Sequence, residues 1–198
     1  MLTTLGSHVR ALVFDLDGTL VDSKIDFDSM KAELELSREA DVLQHVETLS
    51  LIAREQALDV IYKHELAGVK VSRRIKGARE FVESVKGAGL PCAIFTRNAS
   101  SLAHECLRLH GFEIELVVAR EDAPPKPKPD GLFKIADTFG VDVSELLFVG
   151  DYLYDLQAGR AAGAPTALFL PSPPDFDITG AHFTFETYQQ LTERLFPK

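Results

Sequence analysis

Short apolar runs recur along this chain, and stretches with helical periodicity fall between them. The runs mostly lack polar alternation, which is typical of parallel strands covered on both faces. They are Arg10–Phe14, Pro91–Phe95, Ile114–Ala119, Leu146–Val149 and Thr166–Leu170. Strands that alternate with helices through short connections predict an open α/β fold, with a Rossmann-like parallel sheet as its core.

The predicted helices lie between these strands, and glycines near several helix ends are typical of helix stops. The helices are Ala78–Lys86, Ser100–Leu109, Leu132–Phe139, Leu153–Ala162 and a closing Glu186–Leu195. Residues 23–75 show helical periodicity and no strand pattern, so we predict a small α-helical cap inserted after the first strand. The Rossmann-like core would then comprise residues 1–22 and 76–198. Because α/β proteins bind ligands at the carboxyl ends of their strands, an insertion there is a candidate lid.

Composition excludes several classes of partner. The chain has 198 residues, 45% of them hydrophobic, and a formal net charge of −9, which disfavours binding to nucleic acid or to an anionic membrane. No apolar stretch approaches the length of a membrane span. Cys92 and Cys106 lack the spacing of a metal site and are expected to be reduced thiols. We therefore expect a cytoplasmic protein.

An acid pair, Asp15 and Asp17, follows the first apolar run directly. Two carboxylates held at a strand end repel each other unless a cation or a charged ligand compensates them. A metal ion and a phosphoryl group would meet that condition, with one acid as nucleophile and the other moving protons. Gly18 allows the chain to turn away. Taken alone, this pattern is equally consistent with a solvated Asp-rich turn.

Three further polar positions follow later strands. Thr96 comes after the second strand, where a hydroxyl can bind a phosphoryl oxygen or cap the next helix. Lys126 and Lys128 lie between prolines, which restrict the backbone and help to aim an amine, although such a loop can also simply face solvent. Asp151 follows the fourth strand, with Asp155 one helical turn later, in a pattern that suits Mg²⁺ or a turn with a helix cap.

Together these residues form an ordered series of acid pair, hydroxyl, lysine and acid. The series closely resembles the four motifs of the haloacid dehalogenase-like (HAD) hydrolase superfamily. The helical insertion after the first motif resembles the C1-type cap of its phosphoglycolate phosphatase-like branch. The resemblance covers nearly the whole chain, and its first and last motifs are the most specific.

The resemblance implies a Mg²⁺-dependent phosphatase that hydrolyses a small phosphate monoester through an aspartyl-phosphate. Asp15 would be the nucleophile and Asp17 the proton-transferring acid and base. The carboxylates of Asp15 and Asp151 and the backbone carbonyl of Asp17 would hold the metal. Its partner would be a small phosphorylated metabolite.

The remaining motif positions would bind the phosphoryl group or support the site. Thr96 and Lys126 would contact phosphoryl oxygens, and the backbone N–H groups that follow Thr96 add Arg97 and Asn98 to this set. The Arg97 side chain could recognise a second anionic group or pair with a local acid at the surface. Asp155 would act on the metal or the lysine from nearby. Lys126 fits the family pattern Lys-Pro-x-Pro, and Lys128 is its alternative.

Asp17 narrows the reaction within the superfamily. Dehalogenases and phosphonatases lack this acid, so its presence implies a leaving oxygen that needs a proton. A phosphomutase of the β-phosphoglucomutase type therefore stays an alternative to a phosphatase. From a different class, a signalling module that accepts a phosphoryl group on Asp also stays possible, although such a module needs neither Asp17 nor a cap. Tyr152 departs from the Gly-Asp-Ser pattern common in the family, which puts one hydrogen bond near the metal in doubt.

Overall fold

The computed structural model describes residues 8–197, which form strands and helices in alternation. The strands are β1 (Ala11–Phe14), β2 (Val21–Asp22), β3 (Arg73–Arg74), β4 (Cys92–Phe95), β5 (Leu116–Val118), β6 (Leu146–Gly150), β7 (Thr166–Phe169) and β8 (Phe183–Phe185). The helices are α1 (Phe27–Glu33), α2 (Val42–Glu47), α3 (Leu51–Val71), α4 (Ala78–Gly87), α5 (Ser100–His110), α6 (Asp130–Phe139), α7 (Leu153–Ala162) and α8 (Tyr188–Leu195).

Six strands form one parallel sheet in the order β5-β4-β1-β6-β7-β8. The predicted α/β class with a parallel core is confirmed, and the five predicted strands are all present with bounds that differ by at most two residues. Strands β2 and β8 were not predicted, because β2 has two residues and the three residues of β8 alternate between buried and exposed. The sheet is a doubly wound core with β1 in its interior.

Strand β1 is completely buried because helices cover both faces of the sheet. Ala11 and Val13 share one hydrophobic cluster with Leu132 of α6. On the other face, the Phe14 ring lies edge-on to Phe81 of α4 at 6.0 Å between ring centroids. Burial on both faces explains why the strand reads as an unbroken apolar run. It also makes the end of β1 a rigid platform for the residues that follow.

Residues 23–72 form a second compact unit, separate from the unit made by the rest of the described chain. Its helices α1, α2 and α3 enclose an apolar cluster that includes Met30, Leu43 and Ile61. Arg73 and Arg74, predicted as part of a strandless insertion, instead pair antiparallel with β2. That prediction was wrong because both residues are exposed and charged, so their strand has no apolar pattern to detect.

Over residues 8–197, no helix is both long and apolar enough to cross a membrane. No disulfide joins Cys92 and Cys106. Burial raises the pKa of the Cys92 thiol to about 12, which keeps it protonated and unreactive.

Gly131 allows α6 to pack closely against the end of β4, and its replacement should measurably destabilise the fold. A Cβ on Gly131 would overlap the fully buried Phe95 ring, which has no space to move. We expect Gly131→Ala to lower the free energy of unfolding by roughly 1–3 kcal/mol, measured from urea denaturation midpoints. Gly87→Ala is the matched control, because a Cβ there meets no atom within 4 Å. Equal midpoints for the two variants would contradict this packing argument.

Candidate active site

The end of β1 lies between the ends of its two neighbours. Phe14 pairs with Ile94 of β4 on one side and with Val149 of β6 on the other. The Asp15 backbone N–H continues this register by donating to the Val149 carbonyl at 2.8 Å. Because the strands are parallel, the polar residues that follow them emerge at one edge of the sheet. The acid pair, Thr96 and Asp151 are therefore gathered there by strand register alone.

Lys126 reaches this edge from the proline-rich loop that precedes α6. Its ammonium lies 2.5 Å from Asp15 Oδ1 and 2.7 Å from Asp155 Oδ1. The side chain is only 3% exposed, and the ammonium is 5.6 Å from the ring centroids of Phe95 and Phe148. Lys126 is thus a buried cation surrounded by apolar walls and two carboxylates. Lys128, the alternative lysine, is exposed.

Asp155 orients the lysine and also shapes the loop after β6. Its Oδ2 accepts hydrogen bonds from the backbone N–H groups of Asp151 and Tyr152, at 3.1 and 3.0 Å. Its Oδ1 accepts from Lys126, so both carboxylate oxygens are engaged. Gly150 is required beside it, because a Cβ at that position would overlap the Asp155 carboxylate. Asp155 therefore holds both Lys126 and the loop after β6 in position.

Asp151 is held from the other direction by the loop that follows β1. Its Oδ1 accepts a hydrogen bond of 2.9 Å from the Thr19 hydroxyl. Gly18 has a left-handed φ of +81° and passes so close that a Cβ would overlap the Asp151 carboxylate. The Thr19 carbonyl in turn accepts a 2.8 Å bond from the buried Tyr188 hydroxyl of α8. These contacts fix the Asp151 carboxylate against the acid-pair loop.

The loop after β4 supplies groups on the opposite side of β1. Thr96 is buried, and its Oγ1 accepts a 3.2 Å bond from the Asn98 backbone N–H. The residue that caps α5 is Ala99, so Thr96 does not cap this helix. The Asn98 side chain donates from Nδ2 to Asp17 Oδ2. Asn98 therefore links the β4 loop to the second acid of the pair.

Arg97 lies in the same loop, with its guanidinium 4.3 Å from the centroid of the Tyr154 ring. Tyr154 contacts Tyr152 edge-on, and Tyr152 contacts Phe176 in the same way, each at 5.3 Å between centroids. The tyrosine in place of the family's serine therefore packs in an aromatic row, and its backbone N–H still donates to Asp155. Tyr152 and Tyr154 lie between Asp151 and Asp155 in the sequence, so this row begins directly beside the acids.

Burial and repulsion between neighbouring carboxylates raise the pKa values of Asp15 and Asp151. Burial, with repulsion from Asp155 and Asp17, raises the pKa of Asp15 to about 7 despite the attraction of Lys126. Burial and the charges of Asp15 and Asp155 raise the pKa of Asp151 to about 8. Burial lowers the pKa of Lys126, but attraction to Asp15 and Asp155 outweighs burial and leaves that pKa above its ordinary value. Strongly shifted pKa values of this kind are typical of functional sites.

The charges at this edge fit a divalent cation. Asp15, Asp151 and Asp155 each offer one oxygen, and these atoms lie within 4.8 Å of one another. Three carboxylates face the single ammonium of Lys126, so two negative charges remain uncompensated when all three acids are ionised. Because Asp155 already uses both oxygens, Asp15 and Asp151 are the side chains best placed to bind Mg²⁺, which takes one or two carboxylates and keeps several waters. The expectation that the backbone carbonyl of Asp17 also binds the metal stays a prediction.

The structure places the residues that the sequence singled out near one another, and their roles in a site stay predictions. All of the predicted site residues lie at or beside the same sheet edge. Thr19 and Tyr188 were not singled out as site residues, although both support Asp151. Thr19 lies inside the first motif and could have been noticed there. Tyr188 gave no signal, because its link to Thr19 spans 169 positions of sequence.

Comparison with known proteins identifies relatives over most of the chain. The family model of the haloacid dehalogenase-like hydrolases matches residues 9–163. A haloacid dehalogenase-like hydrolase domain-containing protein of Arabidopsis thaliana is 28% identical, covering 94% of this chain and 82% of the relative. A phosphoglycolate phosphatase of Thiobacillus denitrificans is 32% identical, covering 79% of this chain and 81% of the relative.

A solved structure shows the same fold. The putative phosphoglycolate phosphatase from Lactobacillus plantarum superposes with a TM-score of 0.78, at 20% identity, covering 94% of this chain and 99% of that structure. The parallel sheet and its helical insertion are therefore an arrangement that is already known among solved structures.

The raised pKa values predict how metal binding depends on pH. Asp15 and Asp151 retain protons in the folded, metal-free protein that the unfolded chain releases near pH 4, so stability of this form falls as pH rises from about 4 to 8. Mg²⁺ competes with these protons, and its stabilising effect should therefore grow over the same range. We expect the melting temperature to rise more on adding Mg²⁺ at pH 8 than at pH 5.5. At each pH, the rise should be about 2–4 °C for each kcal/mol by which Mg²⁺ stabilises the folded protein.

Asp151→Asn should abolish the effect of Mg²⁺ on melting at both pH values, since it removes one metal-binding carboxylate. Asp137→Asn is the matched control, because Asp137 is exposed on α6 away from the acids. A Mg²⁺ effect that is equal at both pH values, or that persists in Asp151→Asn, would contradict this assignment.

Proposed function

The chain belongs to the haloacid dehalogenase-like hydrolase family, and from this membership we propose that it is a Mg²⁺-dependent phosphatase of small phosphate monoesters. The proposed reaction proceeds through an aspartyl-phosphate on Asp15. The observation that carries the proposal is the position of the buried Lys126 ammonium, 2.5 Å from Asp15 Oδ1, at the edge that also presents Asp151. A carboxylate beside a fixed cation suits an attack on a negatively charged phosphoryl group.

In the first half of the reaction, the Asp15 carboxylate attacks phosphorus in line with the ester oxygen. The bond from phosphorus to that oxygen breaks as the new bond to Asp15 forms. Asp17 donates its proton to the leaving oxygen, so the alcohol departs neutral. The support for this division of roles is that Lys126 contacts Asp15, whereas Asn98 contacts Asp17.

In the second half, water hydrolyses the aspartyl-phosphate. Asp17, now ionised, accepts a proton from the water whose oxygen attacks phosphorus. The bond from Asp15 to phosphorus breaks, which restores the carboxylate and releases inorganic phosphate. Each acid therefore ends the cycle in the state in which it began.

Phosphoryl transfer depends on positioning and charge neutralisation more than on covalent chemistry. Lys126 supplies a positive charge that is fixed before substrate binds, and the Thr96 hydroxyl has a hydrogen to donate to a phosphoryl oxygen. Asp15, Asp151 and the Asp17 carbonyl would hold Mg²⁺, which when bound neutralises charge on the transferring group. Asp155 keeps Lys126 and the Asp151 loop in place.

The proposed substrate class is small phosphorylated metabolites. Its support is the family membership together with the phosphoglycolate phosphatase among the relatives. Phosphoglycolate, sugar phosphates and nucleoside monophosphates should therefore be assayed side by side, with inorganic phosphate release as the measurement.

Loss of the nucleophile provides the central mutational test. Asp15→Asn removes the attacking carboxylate and should lower Mg²⁺-dependent turnover of p-nitrophenyl phosphate on the order of 10³-fold or more. Asp137→Asn changes the same group on the exposed face of α6 and should retain wild-type turnover. Melting temperatures of both variants check that the fold is intact.

Two results would contradict the proposal. Turnover by Asp15→Asn at the wild-type rate would remove Asp15 from the chemistry. Stoichiometric phosphorylation of the wild-type protein without turnover would instead favour a signalling module.

A further inference from the structure

Asn98 is a buried polar residue whose side chain does not contact the acids that flank Lys126. It is 7% exposed and lies in the loop between β4 and α5. Its amide nitrogen Nδ2 donates to Oδ2 of Asp17, although the two residues are 81 positions apart. A buried amide that donates to a carboxylate can restrain the position of that carboxylate.

The backbone of Asn98 is fixed on both sides. Its N–H donates to Thr96 Oγ1 at 3.2 Å, and its carbonyl accepts from the Arg120 backbone N–H at 3.2 Å. These bonds tie Asn98 to its own loop and to the loop after β5. Because the backbone is held at both its N–H and its carbonyl, the side-chain amide can point in few directions.

The chemistry of an amide nitrogen decides which oxygen of Asp17 can carry the proton. An –NH₂ group donates hydrogen bonds and does not accept them, so the contacted Oδ2 must act as acceptor. This hydrogen bond to Oδ2 favours the arrangement in which a proton destined for the leaving oxygen resides on Oδ1. The bond also restrains the carboxylate torsion, which is otherwise broad.

We propose that Asn98 is a positioning residue that holds Asp17 and directs its Oδ1 toward the leaving oxygen of the ester. This inference rests on the proposed function, in which Asp17 is the general acid. In this role the Asn98 side chain supports proton transfer by Asp17. From the sequence, Asn98 was predicted to bind the phosphoryl group.

The proposal makes the importance of Asn98 depend on the leaving group. An ester whose alcohol is strongly basic needs a proton as its bond to phosphorus breaks, whereas nitrophenolate leaves readily without one. General acid catalysis contributes about 10²–10⁴-fold, and poor positioning of the acid forfeits part of that. A direct contact with the phosphoryl group, in contrast, would matter equally for every ester.

Single-turnover kinetics with p-nitrophenyl phosphate and phenyl phosphate test this directly. With enzyme in excess, release of the phenol reports transfer to Asp15 and is independent of later hydrolysis. Asn98→Ala should slow release from phenyl phosphate about tenfold or more relative to wild type, and release from p-nitrophenyl phosphate by less than about threefold. Asn98→Leu, which has a similar volume but no donor and no charge, should show the same pattern if Asn98→Ala folds poorly.

A double-mutant cycle distinguishes action through Asp17 from direct binding of phosphate. In an Asp17→Asn background, adding Asn98→Ala should change release from phenyl phosphate by less than about twofold, because the residue it positions is no longer an acid. Equal losses for the two esters, or an undiminished effect in the Asp17→Asn background, would overturn the proposal. Absence of Mg²⁺-dependent turnover by the wild type would overturn the proposed function, and this inference with it.

Discussion

The buried ion pair network around Lys126 is the interaction on which the rest of the site depends. The ammonium of Lys126, a residue that is 3% exposed, joins the acid at the end of β1 to Asp155 at the start of α7. Breaking a buried pair of this kind leaves an uncompensated charge, so each partner constrains the others. Asp155 transmits that constraint to Asp151 through the backbone of its loop. The position of this lysine thereby constrains the positions of the acids around it.

The acids of this network outnumber its single ammonium. Desolvation of three acids beside one lysine holds the pKa of Asp15 near 7 and that of Asp151 near 8. A divalent cation bound at Asp15 and Asp151 would add the positive charge that this group of acids lacks. The Lys126 ammonium would then also face the negative charge of a bound phosphoryl group.

Sequence reasoning succeeded where strand ends determine position. Asp15, Thr96 and Asp151 follow strands that are adjacent in the sheet, and parallel register brings such ends together whatever the loops do afterwards. The hydrogen bonds beyond the strand ends were harder to predict. The bond of Asn98 to Asp17 and that of Tyr188 to Thr19 join distant segments, and they depend on loop geometry that no local pattern encodes. Strands β2, β3 and β8 were missed because each has only two or three residues, too few for a recognisable pattern.

In the proposed reaction the carboxylate of Asp15 becomes phosphorylated during turnover. Rapid acid quenching of the wild-type protein during hydrolysis of a phosphomonoester with Mg²⁺, followed by peptide mapping of the acyl-phosphate, measures this step. We expect a phosphoryl group on the peptide that contains Asp15, present during turnover and lost when the ester is exhausted. Hydrolysis at the full rate with no labelled peptide, or with the label on another residue, would contradict it.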